Sequence, residues 1–309
     1  MIKLLLILIF VLSISLVVVL VILFQKNKKT NSKESNYQEN LSELKSAYSE
    51  VDEKVTDFES SVLYAKRMVD AIFKIGDLVE FDGLEYFLMY RPKDIISGDF
   101  VWHNSTYDRH YFVVADCTGH GVPGAFMSIV SHNLLNQAVK EYGYSKPSEI
   151  LEFVNKRHYE LFNENSNSSI QDGMDLAICI IDTDAEIVEY SGAMRPLYLL
   201  RENGELERIT GDKMSIGESG YQNKEKFTDH VVDFSSGDSL FLTSDGFVDQ
   251  FGGPDGKKYK SSRFKELLIS FQGKSAKEQH ELLENEFQNW IGDQEQIDDV
   301  TVLGIKCVY

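Results

Sequence analysis

The chain has 309 residues, 43% of them hydrophobic, which is enough apolar material for a packed core and excludes a disordered protein. Its formal charge of −18 excludes a nucleic-acid binder built on clustered Lys and Arg. The three cysteines, Cys117, Cys179 and Cys307, are far apart and form no CxxC or Cys/His ligand pattern; two of them lie in apolar strand-like runs and are expected in the core, which fits a reducing, cytosolic compartment.

Residues 4–24 form an apolar run broken only by Ser13 and Ser15. Roughly 20 residues at 1.5 Å each span a hydrocarbon core of ~30 Å, so 1–24 is expected to be an uncleaved transmembrane anchor. The following stretch, 25–40, begins with four lysines by residue 33, against one lysine before the span. That bias predicts a single-pass protein of the inner or plasma membrane with the rest of the chain in the cytoplasm. From 41 to 72 the apolar residues keep a heptad: Leu41, Tyr48, Val55, Val62 and Val69 at a, and Leu44, Val51, Phe58, Ala65 and Ile72 at d. Sustained a/d patterning predicts a coiled coil over 41–76, and the β-branched a residues favour a parallel homodimer. A solitary amphipathic helix lying on the following domain is the alternative.

Beyond residue 77 the pattern alternates. Strands are expected at 85–91, 100–103, 110–116, 174–182, 186–191, 197–201, 227–234, 239–243 and 300–308, and helices at 122–142, 147–162, 261–271 and 275–290. By pattern alone this is mixed α and β with much antiparallel pairing. Residues 163–171 and 217–226 read as polar loops, the second a candidate lid. Four aspartate positions stand at the ends of apolar runs: Asp99 in SGDF (97–100), Asp116 in DCTGHGVPGA (116–125), Asp245 in TSDG (243–246), and the pair Asp298 and Asp299 in DDVT (298–301). An acid at the end of a buried strand is costly unless a cation or hydrogen bonds compensate it. Oxygen-only donors of this kind suit a hard cation such as Mg²⁺ or Mn²⁺. Turn aspartates are the ordinary explanation for any one of them taken singly.

These four motifs, in this order, resemble the successive motifs of the SpoIIE/RsbU-type serine phosphatases, the bacterial branch of the PP2C (PPM) metal-dependent protein phosphatases. The resemblance runs from about residue 81 to the C-terminus. It implies an α+β fold, the PP2C-like αββα sandwich of two packed antiparallel sheets flanked by helices, over 77–309. It also implies two Mn²⁺ or Mg²⁺ ions per site. Asp116 would be the bridging carboxylate, the Cys117 backbone carbonyl would be a ligand, and Asp245 and Asp298 would complete the set, with Asp299 ranked behind Asp298. Asp99 aligns with the acid that contacts a metal or its waters.

His120 is the candidate general acid for the serine leaving group. Its more ordinary reading is a helix-entry histidine with a hydrogen-bonded ring, because the family uses no fixed histidine ligand. Arg91 and Lys93 precede the first motif and are candidates to meet the substrate phosphate, or else surface cations. Asp172 and Asp175 open a central strand near the expected site. The turn SGAM (191–194) departs from the Asn-Ala-Gly-His that many relatives carry there. The last heptads resemble the family's switch helix, which makes Val62, Ala65, Val69 and Ile72 regulatory candidates. The resemblance thus implies a phosphorylated regulatory protein, such as an anti-sigma-factor antagonist, as substrate. A tethered dimeric scaffold with an inactive phosphatase fold is the competing reading.

Overall fold

The structure, a computed structural model, describes residues 2–73, 83–106, 108–163, 173–217 and 226–308, apart from the side chains of 2–12, 14, 29–35 and 163. It divides into two compact units, Met1–Ser61 and Val62–Tyr309. The first helix, α1 (Ile2–Phe73), supplies all the described structure of the first unit. There Leu44, Tyr48, Val51, Val55 and Phe58, all a or d positions, are exposed. Among the described residues no helix is long and apolar enough to cross a membrane. The first part of the expected 4–24 span lies outside the described side chains, as do the expected boundary at 76–77 and most of both polar loops.

In the second unit two five-stranded antiparallel sheets pack face to face. One sheet has the order β1-β12-β9-β6-β7, with β1 at Leu84–Arg91, β6 at Leu197–Leu200, β7 at Leu206–Ile209, β9 at Ser239–Thr243 and β12 at Val300–Cys307. The other has the order β2-β3-β4-β5-β8, with β2 at Phe100–Ser105, β3 at Arg109–Cys117, β4 at Met174–Asp182, β5 at Ile187–Ala193 and β8 at His230–Asp233. Helices α2 (Gly121–Asn136, continued by a π-helical turn over Gln137–Glu141) and α3 (Pro147–Asn163) cover the second sheet. Helices α5 (Ser261–Ile269) and α6 (Ala276–Ile291) cover the first. A short helix, α4 (Gly246–Asp249), and a small hairpin, β10 (Phe251–Gly252) with β11 (Lys257–Lys258), follow β9.

The central strands, β3, β4, β9 and β12, read as apolar runs because they are buried on both faces. In β3, Phe112 and Val114 enter the core between the sheets, whereas Tyr111, Val113 and Ala115 face the core under α2 and α3. In β12, Val300 and Val302 face the α5/α6 side while Leu303 and Ile305 face the centre. Expected strand 227–234 is shorter than its pattern, since Phe227 turns into the core under α2 and α3 and Thr228 is tied to Asp212 through backbone and hydroxyl. Strand β7 and the β10/β11 hairpin are additions that no apolar run announced.

The final turns of α1 belong to this second unit. Val62, Val69 and Phe73 are buried in the same core as Phe100 and Ala115, with Ala65 packed beside them. Ile72, the expected d residue, is exposed and Phe73 takes the inward position. A straight helix drifts by about 20° per heptad against a 3.5-residue repeat, so the buried stripe moves on by one residue.

Candidate active site

The strand ends bring acids from both sheets to one cleft of about 300 Å³, lined by Asp116, Cys117, Thr118, Gly119, His120, Gly173, Met174, Asp175, Arg195, Ser215, Asp245 and Asp298. Asp116 is the penultimate residue of β3 and stands directly across the ladder from Asp175 on β4. Asp245 caps the start of α4 where β9 ends, its carboxylate not bonded to the helix N-terminus. Gly246 must be glycine here, because a Cβ would lie 2.0 Å from the Asp299 carbonyl oxygen. Ser244 ties this turn to β12: its amide donates to the Thr301 carbonyl, and its hydroxyl accepts from the Thr301 amide.

At the centre lies a cation that sequence reasoning missed. The Nη2 of Arg195 donates to Asp116 Oδ2 at 2.7 Å and Asp245 Oδ2 at 2.8 Å, and lies 3.2 Å from Asp175 Oδ2. Among the described residues no group of three or more His, Cys, Asp or Glu side chains is placed to hold a metal ion; the guanidinium stands where the carboxylates converge. The one available signal was its position just after the unusual SGAM turn.

Electrostatics reports the same crowding. Burial, then the charge of Asp99, pushes the Asp116 carboxyl up to about 9, with Arg195 opposing and Asp245 and Asp298 adding to the rise. Burial likewise raises Asp99 to about 7. Asp99 is buried beside the cleft, where the Ser244 and Thr301 hydroxyls oppose the rise, and its Oδ2 has no partner at normal hydrogen-bond geometry among the described residues. Burial raises Asp298 as well, the Asp299 amide opposing.

The two closing acids are not equivalent. Asp298 lines the cleft. Asp299 is buried and spends both oxygens on the loop before β2, accepting from the Lys93 amide at 2.7 Å and the Gly98 amide at 2.8 Å. Gly98 is itself pressed against the turn after β3, since a Cβ there would meet the Gly119 carbonyl at 2.4 Å. Cys117 is buried and its side chain serves the core under α2.

His120 precedes α2 without capping it and faces the cleft. Its Nδ1 lies 2.5 Å from Asp94 Oδ2 and its Nε2 lies 3.2 Å from Lys93 Nζ. An ammonium can only donate, so Nε2 accepts from Lys93 and the ring proton sits on Nδ1, donated to Asp94. Asp94 is a second residue the motifs did not announce. Arg91 is not brought to the cleft: it pairs with Glu284 and Gln288 and lies over the Phe287 ring, holding β1 to α6.

The donor set fits hard dications on two observations: an enclosed carboxylate oxygen of Asp99 without a hydrogen-bond partner among the described residues, and Asp116 and Asp245 already aimed at one positive charge.

The chain resembles several known proteins. The family model described as "Stage II sporulation protein E (SpoIIE)" matches residues 106–308. The SiaA PP2C domain of Pseudomonas aeruginosa superposes with a TM-score of 0.72 at 25% identity, over 81% of this chain and 97% of that one. The PP2C phosphatase domain of SpoIIE from Bacillus subtilis, with a fragment of its regulatory domain, gives 0.59 at 19% identity over 73% and 62%. RsbX in complex with magnesium gives 0.53 at 17% identity over 74% and 98%. The last two likenesses bear on the fold alone. Comparison with curated protein sequences finds no match.

Proposed function

The chain belongs to the SpoIIE family and carries a PP2C-type, metal-dependent phosphoprotein phosphatase domain, and from that premise we propose that it removes phosphate from phosphoserine or phosphothreonine on a regulatory protein, such as an anti-sigma-factor antagonist. The observation that carries this reading is the convergence of Asp116 and Asp245 from opposite sheets on a single cation, with Asp298 in the same cleft. Asp116, Asp245, Asp298 and the Cys117 carbonyl would hold two Mn²⁺ or Mg²⁺ ions, with Asp99 beside them. Bound there, the ions would supply an ionised water near neutral pH and neutralise the phosphoryl oxygens.

The chain's own groups do the rest. Asp94 fixes the His120 ring with its proton on Nδ1, so His120 would protonate the departing serine oxygen only after Nε2 takes a proton from solvent and leaves its contact with Lys93. Asp299 keeps the 93–98 loop, and with it Lys93 and Asp99, at the cleft.

The 4–24 run would anchor the protein in the membrane with the phosphatase domain in the cytoplasm, and the exposed a and d residues of 44–58 would pair two chains. Regulation would run through Val62, Ala65 and Val69, which pack beside Phe100, and through dimer geometry further along α1. The test is hydrolysis of a phosphoserine peptide by the full chain with and without Mn²⁺. Metal-dependent turnover that disappears in Asp116→Ala and Asp245→Ala is expected. A chain that binds the peptide but releases no phosphate at any metal concentration is the inactive scaffold instead.

A further inference from the structure

Arg195 is not a stray surface cation. It follows Met194, a non-glycine residue at φ 65°, in the left-handed region that side chains other than glycine rarely adopt. The turn is braced from several directions. The Arg195 carbonyl accepts from the buried Tyr190 hydroxyl at 2.5 Å, and the Met194 amide donates to the Asp212 carbonyl at 2.8 Å. Gly192 and Gly211 leave no room beside the Arg195 carbonyl, which a Cβ would meet at 2.4 and 2.7 Å. Such a turn persists only because its surroundings impose it, and what it presents is a guanidinium among three carboxylates.

A guanidinium stays charged at any pH a protein meets. Its Nη2 occupies one oxygen, Oδ2, of each of the Asp116 and Asp245 carboxylates, the two groups that would also ligate a dication. A dication held by these same carboxylates would stand only a few ångström from a fixed positive charge, so the two cations repel each other and compete for one set of negative charges. Asp175 offers the guanidinium a separate seat: Ser215 holds its Oδ1 at 2.5 Å, and Oδ2 faces Arg195.

We infer that Arg195 is a resident counter-cation of the acid cluster, competing with divalent metal for Asp116 and Asp245 and moving onto Asp175 when metal loads. The protein would then take up metal only above a threshold set by this internal competitor. Arg195 can play this part only if the acids hold a dication, so the inference rests on the metal-dependent reading above.

The experiment is calorimetric titration of Mn²⁺ into the full chain without substrate, for the wild type, Arg195→Met and Arg195→Gln. Both variants are expected to bind Mn²⁺ at least tenfold more tightly, and to melt at lower temperature in EDTA with a larger upward shift on adding Mn²⁺. Arg195→Gln, which keeps an amide donor beside the carboxylates, carries the test where Arg195→Met does not fold. Unchanged or weaker Mn²⁺ binding in the folded variants overturns the competition while leaving the phosphatase reading standing. No Mn²⁺ binding by any of the three proteins overturns both.

Discussion

Phe73 stacks on Phe100 with ring centroids 5.4 Å apart, and Phe100 directly follows Asp99 in the chain. The last residue of α1 therefore touches the first residue of β2, next in the chain to the enclosed Asp99. His132 of α2 completes the cluster, 5.1 Å from Phe73.

Phe73→Ala should destabilise the second unit by about 3–5 kcal/mol, the range for emptying a buried aromatic site. Turnover should fall further than Phe73→Leu makes it fall, since leucine refills the space. Urea denaturation and phosphopeptide hydrolysis measure the two effects. Wild-type stability in Phe73→Ala would mean that the stack holds nothing in place.

Asp298 and Asp299 should separate by readout. Asp299→Ala strands the Lys93 and Gly98 amides and should cost about 2–3 kcal/mol of stability, as loss of a charged acceptor does. Asp298→Asn should leave the melt nearly unchanged while weakening Mn²⁺ binding. Calorimetry paired with thermal melts decides, and the reverse pattern would assign the cleft position to Asp299.

Val51→Asp with Val55→Asp alters two exposed residues of the proposed pairing seam, neither of them in a core among the described residues. Sedimentation should show a dimer become a monomer, with the melting of the second unit unmoved. Val62 is unsuited to this test because it is buried in the domain. A wild-type chain that sediments as a monomer would remove the pairing altogether.

His158 is fully buried on α3 with neither ring nitrogen hydrogen-bonded among the described residues, and burial lowers it to about 4. The unfolded chain titrates its histidines near 6.5, so below that pH it binds the proton that the folded state refuses. Stability from this group is complete above about pH 6.5 and is lost as pH falls toward 4. His158→Phe should shrink the gap between urea midpoints at pH 7 and pH 5; an unaltered gap would place the acid sensitivity elsewhere.

His120→Asn should lower kcat by about 100-fold with little change in KM, the usual scale for removing a general acid. Asp94→Asn should act through the ring, shifting the pH dependence of kcat more than its maximum. If both variants keep the wild-type pH profile, the ring takes no part in proton transfer.

The primary sequence by itself determined the four acidic motifs, the heptad and most of the strands, because each is written in neighbours a few residues apart. An apolar run such as 111–115 declares a strand buried on two sides, and SGDF or TSDG declares a turn with an acid. Only the tertiary structure decided that Arg195 stands among Asp116, Asp175 and Asp245, that Asp299 bolts the 93–98 loop while Asp298 faces the cleft, that Arg91 holds α6, and that Phe73 rather than Ile72 turns inward. Those facts depend on where a long side chain reaches once two sheets have met, and on a helix drifting against its repeat. Local periodicity carries no record of either.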